Sequence, residues 1–265
     1  MIDLYQVDAF ATDIFKGNPA AVCPLETWLS DDIMQAIADE NNLSETAFFV
    51  PYDGDDADFH LRWFTPTAEI DLCGHATLAT SWVIFNEWEW AKDTVRFSSR
   101  SGVLTVKRGD YGLLAMDLPA CTLKPAVHPD ELQMALGGSA LDFCTASNDM
   151  RLAVLASSQA VRDLKPHLGA VKQMGTFGLI VTAKGENGVD FVSRFFSPQF
   201  GIAEDPVTGA AHTVLAPYWG KRLKKEELVA QQISKRGGEV LCHLQGDRIK
   251  LSGRAVLYMK GEIYL

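Results

Sequence analysis

Apolar residues along the first half of the chain are spaced as in short strands, with two helical segments among them. Alternating or continuous apolar runs predict strands at 2–10, 20–24, 46–50, 59–64, 95–98, 102–108 and 113–118. Ser30 followed by two aspartates is typical of a helix start and predicts a helix over 31–38. Residues 75–87 are apolar nearly all round, which predicts a helix enclosed by the fold.

The second half of the chain repeats this plan of short strands around an apolar helix. Its predicted strands lie at 151–156, 177–183, 188–196, 239–244, 247–251 and 255–264. Its predicted helices lie at 129–136, 158–167, 209–219 and 225–236. The segment from Pro119 to Pro129 contains turn-forming prolines and is the predicted linker between the halves.

One segment of the sequence occurs twice. Residues 58–66 (DFHLRWFTP) recur as residues 190–198 (DFVSRFFSP), with five of nine positions identical. Downstream of each copy a glycine, Gly74 or Gly209, opens a run of small and apolar residues. The offsets are 132 residues for the first motif and 135 for the second, in a chain of 265. A repeat of this length is too long for a solenoid unit of about 20–50 residues.

The repeat predicts the domain organisation and the fold class. We expect an α+β protein of two pseudo-symmetric domains, residues 1–118 and 119–254, with the last strand near 255–265 able to return to the first domain. Each domain is expected to be a mixed, mostly antiparallel sheet around one hydrophobic helix. Because clefts between domains are favoured ligand sites, we expect the active site where the two domains face each other.

Charge and composition exclude several classes of protein. The net charge of −10 leaves no basic face for nucleic acid. We interpret the basic cluster at 221–225 as a solvated helix end that heads the helix predicted at 225–236. No apolar stretch reaches the roughly 18 residues of a membrane helix, and the first residues lack the basic region of a signal peptide. The five cysteines are scattered without CxxC spacing, which is typical of reduced thiols, so we expect a cytoplasmic protein.

The two glycine-led helices form the first candidate site. A helix N-terminus presents unpaired N–H groups and about half a positive charge, and Gly74 and Gly209 allow close approach to the backbone. Two such ends suit a small anion such as a carboxylate, or an enolate-like intermediate. The alternative is that both glycines serve only tight helix packing.

Glu45 is the candidate group for proton transfer. It begins the apolar strand predicted at 46–50, where a carboxylate is partly removed from water and becomes better suited to exchanging a proton. Aligning 46–50 with 177–181 places Thr176 opposite Glu45, so that only one half carries the acid. The alternative is a solvated glutamate at a strand end.

Three further candidates lie next to the glycine-led helices. His75 occupies the first turn of its helix, where the positive helix end favours a neutral imidazole. Asp205 precedes Gly209 and either caps that helix or orients a substrate amine or hydroxyl. Cys73 is placed like one thiol of a cofactor-free amino-acid racemase, which needs two. The matching residue in the second half is Thr208, so we interpret Cys73 as a buried small residue.

Motifs of several other chemistries are missing from the sequence. It contains neither of the glycine-rich loops Gly-x-Gly-x-x-Gly and Gly-x-x-x-x-Gly-Lys that hold nucleotides, and no Gly-x-Ser-x-Gly nucleophile elbow. Its six histidines show no metal-binding spacing, so we expect no metal site.

Six motifs together carry a family resemblance. They are residues 7–10 (VDAF), 17–22 (GNPAAV), 42–48 (NLSETAF), 62–66 (RWFTP), 74–77 (GHAT) and 204–209 (EDPVTG). With these motifs in this order, the chain resembles the phenazine-biosynthesis PhzF-like isomerase family, which shares the diaminopimelate epimerase fold.

The resemblance implies a fold, an assembly and a set of roles. It implies two similar barrel-like domains, a site in the cleft between them, and a homodimer that needs no cofactor. It also implies that Glu45 is the catalytic glutamate, and that His75 and Asp205 support it. In the phenazine enzyme the glutamate moves a proton between carbons of a cyclic dihydro-hydroxyanthranilate. Ala210 stands where that enzyme has a serine, which removes a hydroxyl and counts against that substrate.

The leading hypothesis is a cofactor-independent isomerase that moves a proton on a small anionic, carboxylate-bearing substrate. Glu45 would act as acid and base, and His75 and Asp205 would orient the substrate. The candidate substrate- and anion-binding residues are Asn18, Ser44, Gly74, Ala76, Thr208, Gly209 and Ala210. Two alternatives stay open, a binding protein that kept the cleft and lost the chemistry, and an amino-acid epimerase that uses Cys73 as a thiol.

Overall fold

A computed structural model of the chain describes residues 1–88 and 90–265. The chain divides into two compact units, Met1–Asp117 together with Ser252–Leu265, and Leu118–Leu251. Each unit is a mixed sheet packed around an apolar helix. No helix within the described residues combines the length and the apolarity needed to cross a membrane.

The first unit follows the strand pattern expected from its apolar runs. Its strands are β1 (Ile2–Ala9), β2 (Asn18–Pro24), β3 (Glu45–Pro51), β4 (Phe59–Phe64), β5 (Glu69–Ile70), β6 (Thr94–Ser99), β7 (Gly102–Arg108) and β8 (Leu114–Pro119), which continues into the next unit. Its helices are α1 (Asp31–Asn41) and α2 (Gly74–Glu87). Ser30 is the N-cap of α1, as predicted from the two aspartates that follow it.

The second unit contains more short elements than its sequence predicts. Its strands are β9 (Leu123–Pro125), β10 (Asp142–Ala146), β11 (Met150–Val154), β12 (Gly178–Lys184), β13 (Phe191–Ser197), β14 (Ile202–Asp205), β15 (Glu227–Gln232), β16 (Gly238–Gln245) and β17 (Arg248–Gly253). Its helices are α3 (Asp130–Leu136), α4 (Ser158–Asp163), α5 (Leu168–Gln173) and α6 (Gly209–Leu223). The last strand, β18 (Ala255–Ile263), belongs to the first unit and pairs antiparallel with β1.

The two units share one succession of strand pairings. In the first unit β1–β2 is antiparallel, β2–β3 parallel, β3–β4 antiparallel, β4–β6 parallel and β6–β7 antiparallel. In the second unit β10–β11, β11–β12, β12–β13, β13–β15 and β15–β16 follow in the same order with the same directions. The short strands β5 and β14 add antiparallel to β4 and β13. The sequence repeat therefore reflects a repeated backbone pattern.

The repeated motif also forms the same ion pair twice. Arg62 donates to both carboxylate oxygens of Glu69, from Nε at 2.7 Å and from a terminal nitrogen at 2.8 Å, and its guanidinium lies over Phe64. Arg194 pairs in the same way with Glu204, at 2.7 and 2.9 Å. A bidentate pair fixes direction as well as distance. It therefore holds β5 on β4, and β14 on β13.

Helix α2 is enclosed, as its uniformly apolar sequence predicts. It packs against β1, β2, β3, β7 and β18, so the sheet of the first unit wraps around it. Its buried hydroxyls donate to carbonyls one turn earlier, Thr77 to Cys73 at 2.6 Å and Ser81 to Thr77 at 2.8 Å. These bonds satisfy polar groups that would otherwise be costly to bury.

Helix α6 continues to Leu223 although Pro217 lies inside it. A proline has no N–H to donate to the carbonyl four residues earlier, here that of Thr213. The N–H of Cys121 replaces it and donates to the Thr213 carbonyl at 2.9 Å. A chain segment outside the helix thus supplies the missing hydrogen bond.

The prediction of a helix at 225–236 is wrong, because this segment contains strand β15. Lys224 takes the left-handed conformation (φ 56°) that ends α6, so the basic cluster closes that helix and does not head the next one. Basic side chains at a helix C-terminus complement its dipole. From Glu227 on, side chains alternate between outside and inside, and β15 pairs with β13 and β16. Sheet pairing outweighed a composition that favours helix.

Two more local predictions for the second half needed correction. The predicted linker from Pro119 to Pro129 contains strand β9, which pairs with β10. The helix predicted at 158–167 is split into α4 and α5 around Pro166, whose ring disfavours helical geometry in the preceding residue.

Gly17 offers a test of how tightly the backbone before β2 is packed. Gly17 and Gly137 have nearly equal φ angles, 63° and 62°. A Cβ on Gly17 would lie 2.1 Å from the Ala9 carbonyl oxygen, whereas one on Gly137 would meet nothing within 4 Å. We expect Gly17→Ala to lower the free energy of unfolding by about 1–3 kcal/mol more than Gly137→Ala, measured by urea denaturation. Equal losses would show that the clash relaxes at no cost.

Candidate active site

Glu45 is buried at the start of strand β3. The strand is apolar on both faces and buried from Glu45 to Val50, so the Glu45 side chain at its start is buried as well. Only 6% of Glu45 is exposed, which excludes the solvated strand end considered as the alternative. The parallel pairing of Ala20 with Glu45 fixes this position next to β2.

His75 lies against the Glu45 carboxylate. It occupies the first turn of α2, and its Nε2 is 3.0 Å from Oε2 of Glu45. The contact is close but poorly aligned, and no aligned hydrogen bond reaches Oε2 from the described residues. Both side chains are almost fully removed from water. The pair therefore interacts mainly through charge, and one carboxylate oxygen keeps an unused lone pair.

Asn18 and Ser44 hold the other side of the imidazole. The Asn18 side-chain nitrogen lies 3.1 Å from Nδ1 of His75, and the Ser44 hydroxyl donates to the Asn18 side-chain oxygen at 3.5 Å. A neutral ring accepts from the Asn18 amide nitrogen. A protonated ring requires the amide to present its oxygen instead. In either state Asn18 fixes the plane of the ring relative to Glu45.

The sequence predicts a neutral His75 imidazole, whereas the surroundings of the ring in the structure raise its pKa. Burial works against a charged ring, but the electrostatic contacts of the imidazole with Cys73 and Glu45 outweigh it, and the pKa of His75 is raised well above its ordinary value. The expectation of a neutral ring considered the helix end alone. A carboxylate in contact with Nε2 is a stronger influence than the half charge of a helix terminus.

Cys73 is the N-cap residue of α2 and is packed beside the imidazole. Its sulfur lies 3.5 Å from Nδ1 and 4.0 Å from Nε2 of His75. Burial, helped by the negative charge of Glu45, raises the pKa of the Cys73 thiol to about 11. The side chain is therefore a neutral thiol near pH 7, which fits the interpretation of a buried small residue.

Glu45, Cys73 and His75 are also the described residues best placed to share a metal ion. One ligand-type atom from each lies within 4.8 Å of the others. The sulfur is, however, at similar distances from both ring nitrogens, 3.5 and 4.0 Å, so it lies beside the ring and not in line with either lone pair. A common ion would require at least one side chain to rotate.

In the second unit, Asp205 and Thr208 form a compact hydrogen-bonded turn before α6. The Thr208 hydroxyl donates to a carboxylate oxygen of Asp205 at 2.5 Å. Gln232, at the end of β15, accepts from the Thr208 backbone N–H at 2.9 Å and donates to the Asp205 carbonyl at 2.7 Å. Asp205 thus orders the turn that leads into α6, whose N-cap residue is Thr208.

Gln232 is the functional candidate that the sequence analysis missed. It is 1% exposed, and both ends of its amide bond the Asp205–Thr208 turn. Residues 228, 230 and 232 point inward on a strand, so a polar residue at 232 stands out only if the segment is recognised as a strand. Predicting a helix there concealed it.

The two candidate carboxylates, Glu45 and Asp205, lie at positions that do not correspond in the two units. Thr46 pairs with Phe64, and Leu179 pairs with Phe196, so Gly178 and not Thr176 corresponds to Glu45. A Cβ on Gly178 would lie 2.2 Å from the Phe195 ring, which leaves no room for an acid there.

The residue of the first unit that corresponds to Asp205 is the apolar Ile70. Asp205 pairs with Phe195 on β13, and Ile70 pairs with Trp63 on β4. Cys73 and Thr208 are the matching N-cap residues, as predicted. Each unit therefore presents one carboxylate that the other lacks.

Each unit brings together a part of the predicted set. In the first unit Glu45, His75, Asn18 and Ser44 lie in contact at the start of α2, with Gly74 and Ala76 in its first turn. In the second unit Asp205 and Thr208 are joined by a hydrogen bond just before Gly209 and Ala210, the first residues of α6.

The duplicated units give the chain an epimerase-like α+β fold. A hydroxyproline epimerase from Agrobacterium vitis, solved with bound trans-4-hydroxy-L-proline, aligns over 98% of this chain and 91% of its own. The TM-score is 0.67 at 10% identity, which shows a shared fold. The predicted fold class, two diaminopimelate-epimerase-like domains, is confirmed.

The family is more specific than the fold. A family model described as phenazine biosynthesis-like protein matches residues 7–261. An uncharacterized isomerase of Pseudomonas aeruginosa is 49% identical over 265 residues, which cover 100% of this chain and 99% of the relative. A PhzF-family protein from Enterococcus faecalis is 45% identical with a TM-score of 0.94, over 100% of this chain and 99% of its own. The chain belongs to the phenazine biosynthesis-like (PhzF) family and is an isomerase.

His212, on α6, gives a prediction for the pH dependence of stability. Its Nδ1 donates to the Thr208 carbonyl at 2.8 Å, and burial lowers its pKa to about 4. An unfolded histidine has a pKa near 6.5, so between those values the unfolded chain binds a proton that the folded chain does not. Stability should fall as the pH drops, by about 2 kcal/mol from this group between pH 7 and pH 5. Urea denaturation at both pH values measures it.

The matched variant for this test is His212→Asn, which keeps a donor near the Thr208 carbonyl. We expect the variant to lose less stability than the wild type between pH 7 and pH 5. An identical decline in both proteins would show that His212 is not the titrating group.

The reactivity of Cys73 tests its assignment as a buried neutral thiol. With a pKa of about 11, the thiolate fraction at pH 8 is about one in a thousand. Iodoacetamide should label Cys73 in the folded protein at least about tenfold more slowly than the half-buried Cys121, as followed by peptide mass spectrometry. Labelling in urea, where both are accessible, is the control. Rapid labelling of Cys73 with loss of activity would favour thiol chemistry instead.

Proposed function

We propose that this isomerase moves a proton on a small carboxylate-bearing substrate, with Glu45 as the acid and base. The observation that carries the proposal is the state of the Glu45 carboxylate. Its Oε2 is buried and receives no aligned hydrogen bond from the described residues. Burying such an oxygen is costly, and a buried polar atom without a partner calls for an explanation, for which we propose a catalytic role.

His75 supports this role through its charge and its position. The Nε2 atom of His75 lies 3.0 Å from Oε2 of Glu45, so the ring contacts the carboxylate directly. Asn18 and Ser44 fix the ring on its other side, and the carboxylate thereby keeps one orientation toward the substrate. We assign His75 to positioning and charge balance, and Glu45 to the proton itself.

The helix N-termini are proposed to bind the substrate carboxylate or the negative charge that develops on proton removal. The N-cap residues Cys73 and Thr208 form no side-chain capping bond. The first-turn N–H groups after Gly74 and Gly209 therefore keep their positive partial charge for a ligand. Oriented donors of this kind stabilise an enolate-like intermediate without rearranging during the reaction.

Asp205 is proposed to orient an amine or hydroxyl group of the substrate. Thr208 and Gln232 hold the turn around it, so its carboxylate is positioned before the substrate binds. Ala210 follows Gly209 in the first turn of α6 and contributes a methyl group. A substrate without a hydrogen-bonding group at that place fits best.

A thiol mechanism fits these side chains less well. It would require two thiols of low pKa, whereas the pKa of Cys73 is raised to about 11 and the matching residue is Thr208. Glu45 is the remaining buried acid in contact with His75.

Replacement of Glu45 tests the proposal directly. A panel of small carboxylates, including cyclic amino acids, is incubated with the enzyme in deuterated buffer, and deuterium uptake is followed by mass spectrometry. We expect the wild type to label at least one member of the panel. Glu45→Gln keeps the size of the side chain but removes the proton-accepting oxygen, and should slow labelling by about 10²–10⁴-fold.

Two controls define the outcome. Glu45→Asp retains a carboxylate and should keep more activity than Glu45→Gln, whereas Glu40→Gln changes an exposed acid on α1 and should behave as wild type. Undiminished exchange in Glu45→Gln would remove Glu45 from the reaction. Ligand binding without exchange in the wild type would favour the binding-protein hypothesis.

A further inference from the structure

A cavity of about 450 Å³ opens in the first unit. None of the side chains assigned above to proton transfer lines it. Its walls include Trp82, Asn86, Arg108, Tyr111, Leu114 and Arg254. Trp82 and Asn86 follow His75 on α2 by seven and eleven residues, or about 10 and 16 Å along the helix at 1.5 Å per residue. The cavity therefore lies toward the opposite end of α2 from the Glu45–His75 pair.

The charge of this cavity is positive in a protein that is strongly negative. The chain carries −10 overall, and arginines such as Arg62 and Arg194 are paired with carboxylates. Arg108 and Arg254 line one cavity without an acidic side chain among its walls, and neither forms an ion pair with a described residue. Two guanidinium groups that face one space and have no acidic partner among the described residues are compensated best by an anionic ligand.

Arg108 is held in place before any ligand arrives. Its guanidinium lies 4.9 Å from the centre of the Phe85 ring, and one terminal nitrogen donates to the Phe85 carbonyl at 3.3 Å. A guanidinium has five N–H donors, so this leaves most of them for another acceptor. Because the side chain is already ordered, binding an anion costs little further side-chain entropy.

The remaining walls are apolar or aromatic. Trp82 is half-buried and Leu114 is buried, so the cavity offers a flat indole and an aliphatic surface beside the arginines. At the cavity wall Tyr111 exposes 89% of its surface and has a left-handed backbone, with φ 56°. Tyr111 and Gly112 (φ 75°) both have positive φ, as in the type I′ turn of a hairpin, and this turn places the Tyr111 ring at the cavity wall.

We propose that this cavity binds a small organic anion, a carboxylate or phosphate group joined to a flat apolar ring. Arg108 and Arg254 bind the charged group. Trp82 and Leu114 contact the ring, and Tyr111 covers it from the exposed side. The volume is within the range of about 300–1,000 Å³ usual for ligand sites. The site is separate from the proposed proton-transfer site and does not depend on its chemistry.

Calorimetric titration with simple probes tests the site. Benzoate and phenyl phosphate carry both parts of the proposed ligand, inorganic phosphate lacks the ring, and benzamide lacks the charge. We expect benzoate or phenyl phosphate to bind at least about tenfold more tightly than benzamide and inorganic phosphate. The tighter of the two identifies the charged group. Equal binding of benzoate and benzamide, or no binding of either anion, would overturn the proposal.

Arginine variants locate the binding. Arg254→Gln alters an exposed side chain and should weaken binding of the better probe by about tenfold or more. Arg108→Gln should do the same, provided that its circular dichroism spectrum is that of the wild type. Arg162→Gln removes the same charge from an exposed position on α4 and should change binding less than twofold. If Arg254→Gln and Arg162→Gln weakened binding equally, the effect would come from the net charge of the protein and not from this site, and the proposal would be overturned.

Glu45→Gln separates this proposal from the proposed function. The variant should bind the better probe with unchanged affinity, and loss of binding would place the probe at the proton-transfer site instead. If the wild type shows no deuterium exchange but binds the probe through the arginines, the proposed function is wrong and this site stands.

Sedimentation of the wild type and of Arg254→Gln tests whether the cavity is instead an interface between copies of the chain. A change in oligomeric state without probe binding would identify the cavity as an interface between copies.

Discussion

The enclosure of α2 is the constraint on which the site depends. A helix that is apolar all round has to be covered on every side, and the strands of the first unit wrap around it. This packing brings the first turn of α2 against the beginning of β3. As a result Glu45 and His75 meet in a place where both side chains are almost fully buried. Their coupling follows from burial, because the same pair at a surface would interact weakly.

Duplication explains both the likeness of the two units and their difference. The shared pairing pattern and the matched ion pairs Arg62–Glu69 and Arg194–Glu204 conserve the frame. Within it, Gly178 and the Phe195 ring exclude an acid where the first unit has Glu45. Conversely, Asp205 corresponds to Ile70. The same backbone pattern thus carries a different polar site in each unit, and each site is supported by its own hydrogen bonds.

The errors in the sequence analysis share a physical origin. Residues 225–236 are rich in helix-forming side chains, yet β15 forms there because β13 and β16 offer unpaired hydrogen-bonding edges. The same error concealed Gln232, whose inward position depends on the two-residue period of a strand. The repeat was aligned two residues out of register at Glu45, since hydrophobic runs alone do not specify strand pairing. His75 was expected to be neutral because its contact with Glu45 joins elements distant in sequence.

Sequence alone determined the duplicated α+β organisation, the enclosed helices, the family and the residues Glu45, His75 and Asp205 as candidates. These follow from local periodicity and from motifs, which are properties of neighbouring residues. Tertiary structure alone decided the contact between Glu45 and His75, the support by Gln232, the exclusion of an acid at Gly178 and the pairing of Arg108 with Arg254 in one cavity. Each of these depends on side chains far apart along the chain, whose distances are set only when the sheets close around their helices.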